Sequence, residues 1–66
     1  MRLNNELRVE RARQNISQTD MAKHLGVSRQ TIYSIENQKF VPSVELALRI
    51  AELLNVPLEK IFWLED

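Results

Sequence analysis

The 66-residue chain contains no cysteine, one glycine, two prolines and four aromatic residues. Without cysteine it has neither disulfides nor a thiolate metal site, and the single histidine, His24, has no partner for a zinc site. The sequence has no apolar run long enough to span a membrane and no signal-peptide pattern, so we expect a cytoplasmic protein. The stability of one small domain, residues 1–66, must then come from its apolar core and from any partner subunit.

The residue types that carry most enzyme chemistry are also scarce. The sequence has no cysteine nucleophile and no glycine-rich phosphate loop, and it has only one histidine. The remaining candidates are scattered carboxylates, whose ordinary place is a solvent-exposed surface. We therefore expect no catalytic activity, no metal and no cofactor.

The net charge is zero, which by itself argues against a nucleic-acid partner. The charges are unevenly distributed along the chain, however. Residues 1–39 contain seven basic and four acidic side chains, a net charge of +3, whereas residues 40–66 contain two basic and five acidic ones, a net charge of −3. This asymmetry predicts a charge dipole whose basic half faces an anionic partner.

The spacing of apolar residues predicts five helices and an all-α fold. The first helix is expected from about Asn5 to Gln14. Ser43 is the predicted cap of the fourth helix, and Asn55 is its predicted left-handed end. Pro57 opens a short fifth helix, at whose first position a missing N–H group costs nothing.

Residues 17–37, SQTDMAKHLGVSRQTIYSIEN, predict two short helices joined by a tight turn. Ser17 caps the first of these helices, Gly26 ends it in the left-handed conformation, and Ser28 caps the second. The outer face of the second helix, within residues 29–34, has no acidic side chain, whereas an uncommitted solvent face usually mixes signs. The pattern is typical of a helix-turn-helix, whose second helix enters the major groove of DNA.

The outer face of this second helix carries side chains suited to base edges. Arginine bonds guanine, glutamine bonds adenine, and serine or threonine bonds either. The residues predicted to face outward are Arg29, Gln30, Tyr33 and Ser34, with Thr31 near the edge. Two capped amphipathic helices also occur in many small bundles, where a polar outer face is only solvated, so the pattern alone leaves both interpretations open.

The stretch SQTDMAKHLGVSRQTIYSIENQKFVPS resembles the DNA-binding domain of the lambda-repressor-like family, also called the Cro/cI type or XRE family. The family pattern has Ser-Gln, Leu-Ala, Gly-Val-Ser, Ile-x-x-Ile-Glu-Asn-x-Lys and Pro-Ser in this order. The resemblance continues through LALRIAELLNVPLEKIF and covers about Leu7 to Phe62. It implies a compact five-helix domain and a transcriptional regulator, most simply a repressor, that binds double-stranded DNA.

The resemblance also implies roles for individual residues. Those at the family's base-reading positions are Arg29, Gln30 and Ser34. Those at positions of backbone or edge contacts are Gln18, Ser28, Thr31, Tyr33, Asn37, Lys39 and Phe40. Arg11 and Glu36 match a structural ion pair of the family. Gln38 stands where the family often has glycine, which leaves the backbone contact of that loop in question.

The C-terminal segment, residues 57–66, is expected to mediate association. One helix face cannot bury three adjacent apolar side chains, and similar short family members dimerise through C-terminal residues, sometimes with a short strand. The residues predicted to form this interface are Ile61, Phe62, Trp63 and Leu64, with Leu3 beside them. Two alternatives stay open: Trp63 folds back on its own domain, or the segment binds a protein partner, as in an antitoxin.

Overall fold

The computed structural model describes residues 1–66 and contains five helices and a two-stranded sheet. The five-helix prediction is confirmed, as is the short strand at the C-terminal tail. The helices are α1 (Leu7–Arg13), α2 (Gln18–Leu25), α3 (Arg29–Glu36), α4 (Val44–Leu54) and α5 (Leu58–Ile61). The strands are β1 (Arg2–Asn5) and β2 (Phe62–Glu65), which pair in antiparallel orientation.

Helix α1 is shorter than predicted at both ends. It begins at Leu7 because Asn5 belongs to β1, where it pairs with Phe62. The side-chain oxygen of Asn5 accepts a hydrogen bond from the Leu7 N–H at 3.0 Å, so this residue still satisfies a free donor of the first turn. At the other end Gln14 is the C-cap of the helix.

The predicted caps of the three central helices are confirmed. The Ser17, Ser28 and Ser43 hydroxyls each accept a hydrogen bond from the N–H three residues on, at 3.0, 3.1 and 3.1 Å. Gly26 and Asn55 end α2 and α4 in the left-handed conformation, with φ of 72° and 57°. These local signals set where the helices begin and end.

Every helix and β2 contribute to one apolar core. Its eleven buried residues are Leu7, Met21, Ala22, Leu25, Ile32, Ile35, Ile50, Ala51, Leu54, Ile61 and Phe62. The inner positions of α3, Ile32 and Ile35, are 0% and 1% exposed. Because α3 is anchored on this side, its opposite side is presented to solvent in a fixed orientation.

The two-stranded sheet joins the ends of the chain. Leu3 lies opposite Leu64, and Asn4 lies opposite Trp63. Side chains alternate between the two faces of a strand, so Leu3, Phe62 and Leu64 share one face and Trp63 lies on the other. The side-chain amide of Asn5 donates a 2.9 Å hydrogen bond to the carbonyl of Ile35, which ties the sheet to α3.

Candidate nucleic-acid interface

Helices α2 and α3 are joined by only three residues, Gly26, Val27 and Ser28. The Val27 N–H donates to the Ala22 carbonyl at 3.0 Å, which closes the end of α2 over the left-handed glycine. Val27 is half-buried and packs against the core. The result is a rigid turn that presents the first residues of α3 at the protein surface.

The outer face of α3 contains the three residues predicted to read bases. Arg29 and Gln30 are exposed, and Ser34 is half-buried one turn beyond Gln30. The Gln30 amide lies 3.4 Å from the Ser34 hydroxyl, so the two side chains are adjacent. Arg29 makes no ion pair within the chain, so its guanidinium is available for bidentate bonding.

The remaining polar residues around α3 differ in how many of their hydrogen-bonding groups are already paired within the chain. The Ser28 and Thr31 hydroxyls lie 2.9 Å apart, and Ser28 also caps the helix. Tyr33 is 41% exposed. The Asn37 side-chain amide donates to the Tyr33 carbonyl at 2.8 Å, so this amide closes the end of α3. The Asn37 backbone N–H donates to the same carbonyl at 3.1 Å, so Asn37 keeps only its side-chain oxygen and one amide hydrogen for an external ligand.

The loop after α3 contains a left-handed backbone conformation of the kind that glycine usually adopts. Gln38 adopts a left-handed conformation with φ of 60°, and its side-chain amide is hydrogen-bonded to Asn4 of β1. The Lys39 N–H donates to the Ser34 carbonyl at 2.8 Å. Lys39 and Phe40 then line a shallow pocket with Gln30 and Ser34. The loop thus borders the outer face of α3.

A buried charge network holds α3 against the other helices. Arg11 donates to the Glu36 carboxylate at 2.7 and 3.3 Å, and also to the Ile16 carbonyl at 2.8 Å. The Gln18 side-chain amide donates to the same carboxylate at 3.0 Å. The Glu36 side chain is 1% exposed. Gln18 is thereby oriented at the N-terminus of α2, where unpaired backbone N–H groups can bind a phosphate.

The sequence pattern of the Helix-turn-helix family matches residues 7–61. The chain belongs to this family. It is 50% identical to MJ0272, an uncharacterised HTH-type transcriptional regulator of Methanocaldococcus jannaschii. The alignment spans 64 residues and covers 97% of each chain. The chain is 39% identical over 64 residues to another, YgzD of Bacillus subtilis, again with 97% of each chain covered.

A solved structure supports the same assignment. The fold matches the crystal structure of a "putative DNA-binding protein" from Bacteroides fragilis with a TM-score of 0.85 at 28% identity, covering 92% of this chain and 98% of that one. Together with the family match, this identifies an XRE-type, lambda-repressor-like chain. As a member of this family it is a DNA-binding transcriptional regulator and not an enzyme. None of its helices has the length and apolar character that crossing a bilayer requires.

In this helix-turn-helix chain, the four residues predicted to mediate association do not form one surface. Ile61 and Phe62 are 0% and 8% exposed and belong to the core of the chain itself, so neither offers its side chain to a second copy. Trp63 is half-buried on one face of the sheet, and Leu64 is 63% exposed on the other. A single flat contact therefore cannot include both.

Trp63 is held within its own chain by Glu65. The indole N–H donates to the Glu65 carboxylate at 3.1 Å. This hydrogen bond and another from Asn4 lower the pKa of Glu65 below its ordinary value of 4.5. Desolvation opposes them, and the positive charge of Arg2 makes the smallest contribution to the lowering. The bond from Trp63 to Glu65 joins two neighbours on one face of β2, so the half-burial of Trp63 is the observation that favours the alternative in which it folds back on its own domain.

Proposed function

We propose that this regulator binds a specific palindromic operator as a homodimer and acts as a repressor. The observation that carries the proposal is the outer face of α3, where Arg29 and Gln30 are exposed, no acidic residue is present, and Arg29 has no ion-pair partner. A solvated face of a small bundle would ordinarily mix charges. An arginine whose side chain is unpaired and whose backbone is held at the start of a recognition helix suits guanine in the major groove.

We assign base reading to Arg29, Gln30 and Ser34. The adjacency of the Gln30 and Ser34 side chains favours a shared base step for these two residues. Gln18 and Lys39 flank α3 on its two sides, and we assign them to phosphates together with the backbone N–H groups at the start of α2. Ser28, Thr31, Tyr33 and Phe40 border the same surface and would contact the groove edge, while Asn37 would contribute through the free hydrogen of its side-chain amide.

A homodimer follows from the small size of this surface. One α3 reads only a few base pairs, whereas two copies related by a two-fold axis read two half-sites about 34 Å apart. Such a protein would repress by occupying a promoter in the nucleoid. Its own concentration, or a partner, would set the occupancy.

Selection of binding sites from a random double-stranded DNA library tests the proposal. We expect enrichment of a palindrome with a fixed distance between half-sites. The absence of any enriched motif at low salt would refute sequence-specific binding and would favour the alternative of a protein-binding module.

Two variants then separate the assigned roles. Arg29→Ala should lower affinity by about 1–3 kcal/mol and relax the preference at one base pair of each half-site. Lys39→Ala should instead weaken binding equally across sequences and reduce the dependence on salt. If Arg29→Ala weakened all sequences equally, Arg29 would be a phosphate contact and our assignment would be wrong.

A further inference from the structure

Four of the five helices end with one left-handed residue, which turns the chain back over the last turn of the helix. The following N–H group then donates to the carbonyl five residues before it, as Lys39 does to Ser34 at 2.8 Å. This Schellman arrangement pairs carbonyls that a helix leaves free at its end. The four left-handed residues are Asn15, Gly26, Gln38 and Asn55, with φ of 56°, 72°, 60° and 57°.

Gln38 is the unusual residue of these four. Glycine adopts the left-handed conformation without strain and asparagine tolerates it, whereas a glutamine is strained there. Gln38 is also the one whose side chain bonds a distant part of the chain, because its amide donates to the side-chain oxygen of Asn4 in β1. Glycine would relieve the strain but could not make this bond. Strain that is kept at one position points to a use for the side chain.

The two asparagines of β1 hold the end of α3 at neighbouring points. The Asn4 side-chain oxygen also accepts from the Asn5 N–H at 2.8 Å, which fixes the orientation of the Asn4 side chain. The Asn5 side-chain amide donates to the Ile35 carbonyl at 2.9 Å, and the Gln38 N–H donates to the same carbonyl at 3.1 Å. Asn5 therefore holds the last turn of the helix, and Asn4 holds the residue that turns the chain away from it.

Lys39, which follows Gln38, depends on the backbone of Gln38 for its direction. The Lys39 side chain is exposed and makes no ion pair, and its N–H is taken up by the Ser34 carbonyl. Lys39 lines a shallow pocket with Gln30 and Ser34, so its charge borders the base-reading surface. Whatever fixes the backbone of Gln38 therefore also fixes the place of this charge beside α3.

We propose that Asn4 is a positioning residue for DNA binding, which acts through Gln38 to hold Lys39 at the phosphate backbone. The inference rests on the proposed function, in which Lys39 contacts a phosphate. A cation on a loop that is already fixed loses less conformational freedom on binding than one on a mobile loop, so fixing the loop strengthens the contact. Strand β1 thereby contributes to DNA binding although it lies on no reading surface.

A positioning role and a merely structural role predict opposite results for Gln38→Gly. Glycine removes the left-handed strain, so the variant should be at least as stable as the wild type. It also removes the bond to Asn4, so the loop that carries Lys39 is released. If the bond serves only the fold, DNA binding should be unchanged or stronger, whereas a positioning role requires weaker binding by a more stable protein.

Titration of a duplex that contains one selected half-site makes this comparison. Gln38→Gly should bind about threefold more weakly than the wild type, with the same base preference and a shallower dependence on salt. Asn55→Gly is the matched control, since it places glycine at the left-handed end of α4 and should bind as the wild type does. Binding by Gln38→Gly that equals or exceeds that of the wild type would overturn the proposal.

Two double variants test whether the effect passes through Gln38 to Lys39. Asn4→Ala should weaken binding by a similar factor, and the double variant Asn4→Ala, Gln38→Gly should bind no more weakly than either single variant. In a Lys39→Ala background, Gln38→Gly should have almost no effect on affinity, because the cation that the loop positions is absent. Losses that multiply in either double variant would show independent effects and would contradict the proposal.

Amide hydrogen exchange in the DNA-free protein keeps this inference separate from the proposed function. Asn4→Ala should raise the exchange rate of the Lys39 N–H by about fivefold relative to that of the Val27 N–H. Val27 is the internal control, because its N–H makes the equivalent bond at the end of α2, to the Ala22 carbonyl at 3.0 Å. An unchanged ratio would refute the proposal. If the wild type bound no half-site, the proposed operator recognition would fail, and the exchange rates would still decide whether Asn4 holds the loop.

Discussion

Removal of Glu36 should cost the domain a large part of its stability, although this residue lies on no reading surface. Its carboxylate accepts hydrogen bonds from Arg11 and Gln18, and its side chain is 1% exposed. Deleting one partner of a buried pair costs about 3–5 kcal/mol, because it leaves the other charge without compensation. The Arg11 side chain is 15% exposed and keeps its bond to the Ile16 carbonyl. We therefore expect the lower end of that range, about 3 kcal/mol, for Glu36→Ala.

This loss is large on the scale of so small a domain. At about 0.05–0.15 kcal/mol per residue, a chain of this length is stable by roughly 3–10 kcal/mol. Glu36→Ala should therefore lose from about a third to all of the stability of the domain, and any loss of DNA binding should follow the loss of helix without a change in sequence preference. Urea unfolding followed by circular dichroism measures the free energy of unfolding.

The control for this experiment is Arg8→Ala, an exposed arginine of α1 without an ion pair. It should change stability by less than about 0.5 kcal/mol. The double variant Arg11→Met, Glu36→Leu should recover much of the loss, because apolar side chains can replace a buried pair. A cost below about 1 kcal/mol for Glu36→Ala would place this pair among surface salt bridges and refute its role in fixing α3.

Three further predictions concern single backbone or side-chain features. Gly26→Ala should cost about 1 kcal/mol in urea unfolding, because φ is 72° and a Cβ there would meet no atom, so strain is the only penalty. Gln38→Gly should raise stability by about 0.5 kcal/mol in the same assay, because relief of its left-handed strain exceeds the lost contact with Asn4. The hydrogen bond from Trp63 lowers the pKa of Glu65, so it stabilises the fold above pH 4.5 and is lost as the pH falls through the lowered pKa. Trp63 fluorescence should change in that acidic range, and Glu65→Gln should abolish the change.

The helices and the reading face were predictable because their signals are local. A serine cap, a left-handed glycine and a 3.6-residue apolar period act within a few neighbouring residues, so Ser17, Gly26 and Ser28 locate α2 and α3 from sequence alone. The outer face of α3 follows from the same period once Ile32 and Ile35 are assigned inward.

The strand β1 was not predictable in this way. Its sequence, Arg-Leu-Asn-Asn, has one apolar residue and two asparagines, a type depleted in strands. It forms because it pairs with β2 at the other end of the chain, and this long-range contact leaves no periodic signal. The burial of Ile61 and Phe62 depends on the same contact, as Leu3 packs beside them. Ile61 and Phe62 are therefore core residues of the single chain, and Trp63 and Leu64 are the predicted association residues that keep exposed surface.

The positions of the charged side chains lead to a prediction about how DNA affinity depends on salt concentration. Pairing of β1 with β2 brings Arg2, from the basic part of the sequence, opposite Glu65, from the acidic part. The surface around α3 is positive because Arg29 and Lys39 are exposed while the carboxylate of Glu36 is buried against Arg11.

With two exposed cations on the reading surface, each domain should release few counterions on binding. We expect the logarithm of the affinity for a half-site to fall with the logarithm of the salt concentration with a slope of about −2. Titrations of a half-site duplex at several salt concentrations measure this slope, and Lys39→Ala should reduce it by about 1. A slope near −4 would contradict this estimate, since it would require further basic side chains, such as Lys23 of α2, at phosphates. A shallow slope would mean that this net-neutral regulator obtains its affinity mainly from base contacts and from pairing of its two copies, with little non-specific attraction to DNA.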